Sequence, residues 1–197
     1  CDAIIALNKP ALTGMRDFGY EGRIFLIPNG RDLDRYATCA NADPDAAEKV
    51  LSFIGYLSER KNQIYLLEAH RHVSKQHQLV LLGKALKPGY EELLKQYCRT
   101  HGLDNVAFPG QVPHSEIPSY LEGTHVFVSA SKMEVQSLVV IEALASGTPV
   151  VGLSNETIDE LVDDDVGRWL PKETTPQAFA ASVQHVCSLP QSEYEEL

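Results

Sequence analysis

The chain has 197 residues and a mass of 21.8 kDa, enough to bury one sizeable core and to form roughly one to one and a half domains. Its 17 basic and 27 acidic side chains give a formal charge of −10 and a pI near 5.1, which argues against a nucleic-acid groove, so any phosphate must be held by a local arrangement. No apolar run reaches the roughly 20 residues that cross a bilayer as a helix, and the four cysteines show neither a CxxC nor a ligand spacing, as expected of a reduced, cytoplasmic compartment.

Along the chain, apolar strand-like runs alternate with helical periodicity. Strands are expected at 1–7 and 24–28, then a polar, aperiodic stretch at 38–47 reads as a linker. A strand at 50–56 precedes a helix at 60–74, which carries the loop cations Arg60 and Lys61 at its start. On residue type alone these two are an ordinary basic pair; beside a helix N-terminus they can also neutralise a diphosphate. His70, His72 and His77 are expected on a solvated face of that region rather than around a metal.

The pattern repeats with strands at 78–83, 105–112, 125–130, 149–153 and 167–170, and helices at 89–101, 115–122, 137–146, 155–163 and 175–188. Strand then helix with short loops means parallel strands and right-handed crossovers, hence an α/β, doubly wound parallel sheet. In such a sheet ligands lie beyond the carboxyl ends of the strands, near the point where strand order reverses.

The densest chemistry lies between Ser129 and Val151. Glu134 ends a strand, and Glu142 sits eight positions later inside a helix that is otherwise apolar on every side. A carboxylate so placed is at least partly buried and needs donors, which a ribose diol would supply. Gly147 suits the helix end and Pro149 forbids its continuation, so a new buried strand starts at Val150. For Glu134 alone, a capping or solvated loop acid is an equal alternative.

This spacing resembles the Glu-x7-Glu motif of the retaining glycosyltransferases of family four (glycosyltransferase group 1), enzymes with two Rossmann-like domains, the GT-B fold. Phe53 to Asn62 resembles that family's Gly-Arg-x4-Lys phosphate segment, Leu79 to Gly83 its second strand, Asn105 to Val112 its third, and Ile27 to Gly30 the turn at its domain junction. The resemblance implies that residues 1–37 are the remnant of an N-terminal domain and the domain junction, 38–47 the linker, and 48–197 the C-terminal nucleotide-sugar-binding domain. The chain is accordingly expected to be a piece of such an enzyme, inactive in isolation because half the cleft is absent.

Carried over residue by residue, the resemblance makes Lys61 the phosphate-binding lysine, with Arg60 beside it, and Glu142 the carboxylate for the ribose hydroxyls. Glu134 becomes the acid that contacts the donor sugar. The backbone of Val135, Gln136, Ser137, Leu138 and Val139 becomes the loop that cradles sugar and phosphates. Gly110, Gln111 and Val112 become the strand end where the base packs. The implied activity is transfer of a hexose from a UDP- or GDP-sugar to a sugar, lipid or protein acceptor with retention of configuration. The acceptor is bound mainly by the other domain, with room for a peripheral membrane contact of the full-length enzyme. No cofactor is implied beyond the nucleotide-sugar substrate, and no metal, since Asp32-Leu33-Asp34 and Asp163-Asp164-Asp165 lack the context of an Asp-x-Asp metal motif.

Two positions depart from the family pattern. Tyr56 stands where arginine usually follows the first-strand glycine, and the common Glu-Gly-Phe-Gly loop is Glu134-Val135-Gln136-Ser137. Tyr56 favours a second reading from another class, a GT-B-like module that binds a nucleotide without transferring a sugar.

Overall fold

A computed structural model describes residues 1–36 and 42–194. The first strand, β1 (Ala3–Ala6), pairs in parallel with β2 (Arg23–Leu26), across helix α1 (Lys9–Asp17). That helix was absent from the sequence reading. Its start is nonetheless signalled: the Asn8 side chain accepts from the Ala11 N–H at 2.8 Å, and Pro10 lies in the first turn, where its missing N–H is not needed. A short 3-10 turn, Leu33–Arg35, follows. Of the expected linker, residues 38–41 lie outside the described residues.

The main sheet holds six parallel strands: β3 (Val50–Ile54), β4 (Gln78–Leu82), β5 (Val106–Gly110), β6 (Val126–Ser129), β7 (Val150–Leu153) and β8 (Gly167–Leu170). Their spatial order is β5-β4-β3-β6-β7-β8. Order therefore reverses between β3 and β6, and the crevice that a doubly wound sheet leaves for ligands lies beyond the ends of those two strands. The connecting helices are α2 (Gln63–His70), α3 (Tyr90–His101), α4 (Ile117–Glu122), α5 (Leu138–Ala145), α6 (Glu156–Leu161) and α7 (Pro176–Cys187), with a short α8 (Gln191–Tyr194) after them.

The strands are apolar on both faces because both are covered. Leu51, Phe53, Leu79, Leu81, Val126 and Val128 pack against α2, α3 and α7; Ile54, Val80, Leu82, Phe127 and Val150 pack against α4, α5 and α6. Each fully buried large apolar side chain contributes roughly 1.5–3 kcal/mol relative to exposure. Among the described residues no helix is long and apolar enough to cross a membrane.

The helix expected at 60–74 is shorter at both ends. Asn62 adopts a left-handed conformation, φ 59°, so Arg60 and Lys61 belong to a turn closed by Lys61 and Asn62 N–H bonds to the Ser58 carbonyl, 3.0 Å each. The expected solvated histidine face is also corrected. His72 is exposed, but His70 is buried at 3% exposure against the core, and desolvation lowers its pKa from 6.5 to about 4. It lies on α2 beside Leu66, Leu79 and Phe179.

Candidate functional site

The glycine ends of β3 and β4 open the site. Gly83 has φ 140°, and a Cβ there would lie 2.0 Å from the Gly55 carbonyl oxygen, so only glycine lets the two strand ends come so close. Beyond them a cavity of about 180 Å³ is lined by Gly55, Tyr56, Lys84, Gln111, Val112 and Ile117, among others. Gly110 stands behind it, its carbonyl accepting from the Gly83 N–H at 2.8 Å. A larger hollow of about 450 Å³ opens beside Lys75 and Asn105, at the opposite ends of the strands. Strand polarity favours the smaller one as the ligand crevice.

Gln63, completely buried at the start of α2, fixes the loop above this cavity. Its Oε1 accepts from the Ser58 N–H and its Nε2 donates to the Tyr56 carbonyl, both at 3.1 Å. The Tyr56 ring is half exposed, with the Lys84 ammonium 5.9 Å from its centroid. Lys61, on the same loop, is an ion-pair partner of Glu134, and the two side chains are only 12% and 11% exposed. Arg60 is exposed, while its carbonyl accepts from the Lys132 N–H at 2.9 Å. This main-chain bond ties the loop after β3 to the loop after β6 and brings both expected charged groups together across the switch point.

The segment from Glu134 to Ser137 is held from several sides. Its Ser137 N–H donates to Thr157 Oγ1 at 2.8 Å, and its Glu134 N–H to Glu156 Oε2 at 3.3 Å. Both acceptors lie in the first turn of α6, whose N-cap Asn155 accepts from the Thr157 and Ile158 N–H groups and donates to the Ser131 carbonyl. From the N-terminal segment, Asn8 Nδ2 donates to the Val135 carbonyl and the Asn29 N–H to Gln136 Oε1. Gln136 is thus engaged with the main chain of residue 29. Leu138 and Val139 form the first turn of α5, where helix N–H groups lack intrahelical acceptors and favour an anion.

One turn further, Glu142 is 2% exposed, as the apolar helix around it requires. Its Oε1 accepts from Arg31 Nε at 2.6 Å and meets His114 Nε2 at 2.9 Å. The buried Tyr36 hydroxyl faces the same carboxylate. Burial first and the Glu142 charge second push its pKa upward. Sequence reasoning did not find Arg31, His114, Tyr36, Gln63 or Asn8, and it marked Asn29 only as part of the Ile27–Gly30 turn. Only the Asn8 cap carried a local signal. Among the described residues no three His, Cys, Asp or Glu side chains gather as metal ligands.

An acid in a helix beyond the switch point, a lysine–glutamate pair beside it and a small pocket at the neighbouring strand ends agree with comparison to known proteins. Residues 40–196 match the family model for "Glycosyl transferases group 1". The chain belongs to that family. Its six-stranded sheet is the Rossmann-like C-terminal domain of the GT-B architecture. Similar curated proteins include the alpha-monoglucosyldiacylglycerol synthase of Streptococcus pneumoniae, 35% identical over 59% of this chain and 27% of the relative. The mannosylfructose-phosphate synthase of Agrobacterium fabrum is 28% identical over 77% of this chain and 37% of the relative.

Among solved structures, sucrose-phosphate synthase from Thermosynechococcus elongatus superposes with a TM-score of 0.85 at 24% identity, covering all of this chain and 51% of that one. Anabaena HepE, solved with UDP-glucose, gives 0.84 at 24% identity, covering all of this chain and 56% of that one. These likenesses show the fold. The chain spans between about a quarter and about a half of the length of the curated relatives it matches.

Proposed function

We propose that the full-length protein is a cytoplasmic hexosyltransferase that moves a sugar from a UDP- or GDP-sugar to an acceptor with retention of configuration. Residues 48–197 would form the donor-binding domain, with 1–37 belonging to the other domain and 38–47 joining them. The observation that carries the reading is the Lys61–Glu134 pair across the switch point between β3 and β6, with Glu142 buried in the helix that follows β6.

In this reading the base enters the pocket of Gln111 and Val112, behind which Gly110 stands, and the ribose hydroxyls meet Glu142. The diphosphate then lies between Lys61, Arg60 and the amides from Val135 to Val139, including those of Gln136, Ser137 and Leu138. Glu134 contacts the sugar once Lys61 turns to phosphate. In this reading the chemistry rests on stabilising the departing diphosphate and orienting the sugar. A sugar, lipid or protein acceptor would come from the side of the other GT-B domain, with peripheral membrane contact if it is a lipid. The curated relatives' names already span a glucosyldiacylglycerol and a mannosylfructose phosphate.

A nucleotide-binding module without transfer is the alternative, favoured by Tyr56 and by the engagement of Lys61 with Glu134. Calorimetric titration of the chain with UDP, GDP and their hexose conjugates, followed by a transfer assay of the full-length protein with NMR assignment of the product anomer, separates the two. Binding without turnover would establish the module; absence of binding by every nucleotide would sink both.

A further inference from the structure

Glu142 is supported by side chains far from it in sequence. Arg31 lies 111 positions earlier, in the segment that follows β2, and His114 lies 28 positions earlier, in the turn after β5. Both meet the same oxygen, Oε1, and the Glu142 side chain is only 3% exposed. A carboxylate so buried is costly unless a counter-charge and donors face it. The Arg31 guanidinium supplies that counter-charge and one of the donors. Two directions of approach to one oxygen also restrict rotation of the carboxylate about its Cγ–Cδ bond and leave Oε2 as the oxygen that neither side chain engages.

We propose that Arg31 and His114 are positioning residues that hold Glu142 oriented so that its second oxygen accepts the ribose hydroxyls of the donor. This rests on the ribose reading of Glu142. Arg31 comes from outside the sheet domain, so the segment before the linker would complete the ribose site rather than merely pass it. Neither residue was implied by the resemblance.

The test compares UDP with its dideoxy analogue, which lacks both ribose hydroxyls, by calorimetry on wild-type chain, Arg31→Met, Arg31→Lys, His114→Ala and Glu142→Gln, with a melting curve for each. The readout is the ratio of the two affinities, which a merely structural role would leave alone. Arg31→Met is expected to lower the ratio about tenfold, and Arg31→Lys to recover part of it, because a charged hydrogen bond that orders the acceptor is lost and then partly restored. His114, half exposed, tolerates replacement, and His114→Ala is expected to lower the ratio about threefold; it keeps the test decisive should Arg31→Met fail to fold. A ratio that falls in Glu142→Gln but holds in the Arg31 and His114 variants overturns the proposal while leaving the ribose reading standing. A ratio unmoved in Glu142→Gln overturns that reading and the proposal with it. Tighter UDP binding by Arg31→Met would show a guanidinium that competes with the ribose, and would also overturn it.

Discussion

Replacement of Lys61 by methionine separates its two roles. In the free chain its ammonium pairs with Glu134, both side chains nearly nine-tenths buried. Breaking a fully buried pair costs about 3–5 kcal/mol, because one charge is left uncompensated. The residual exposure of this pair brings the expected loss of stability to about 1–3 kcal/mol. With a diphosphate bound, the loss is of a charge-assisted hydrogen bond of about 1.5–3 kcal/mol, or roughly ten- to hundredfold in UDP affinity, while uridine should be unaffected. The double variant Lys61→Met with Glu134→Gln isolates the second effect. Neither group is then charged, so the melting temperature should return toward that of the wild type, yet UDP should still bind at least about tenfold more weakly. Calorimetry with UDP and uridine, beside thermal and denaturant melts of both variants, measures each of these outcomes. Full recovery of UDP affinity in the double variant, or equal losses for UDP and uridine in the single one, would refute the phosphate assignment.

Gly83→Ala would place a Cβ 2.0 Å from the Gly55 carbonyl oxygen at φ 140°, so a loss on the order of 3 kcal/mol is expected, read as a lower urea midpoint; an unchanged midpoint would contradict the close approach. His70 titrates near 6.5 when unfolded and near 4 when folded, so the unfolded chain binds the extra proton in that window. Stability should therefore be full above pH 6.5 and fall by about 3 kcal/mol as pH drops toward 4. His70→Leu should flatten that part of the curve, and an identical curve in the variant would remove His70 as its cause. Tyr56→Arg restores a cation at the mouth of the pocket and should tighten UDP binding about tenfold without changing uridine affinity; no gain would place Tyr56 away from the diphosphate.

The alternation of apolar runs and helical periods made the six-stranded sheet legible, because both faces are covered and each strand is nearly all apolar. The Glu134 and Glu142 spacing was legible for the same reason: an acid within an apolar helix has few explanations. Element ends were less so. The left-handed Asn62 that detaches Lys61 from α2 depends on a turn closed by Ser58, which propensity does not register. The partners of Glu142 were invisible because they are separated from it by 111 and 28 positions, and neither Arg31 nor His114 carries a local pattern. Proximity of that kind exists only once the strands are ordered.

The bonds from Asn8 to Val135 and from Asn29 to Gln136, with the Arg31–Glu142 pair, bear on recombination between relatives. A chimaera joined between β2 and β3 would keep an intact sheet yet separate the Glu134–Ser137 loop from the side chains that hold it, and would leave a buried acid without its arginine. Seams placed before β1, so that residues 1–36 travel with the sheet, should give the better-behaved hybrids. The unit that can be exchanged is larger than the folded sheet, because it includes a strap contributed by the chain that enters it.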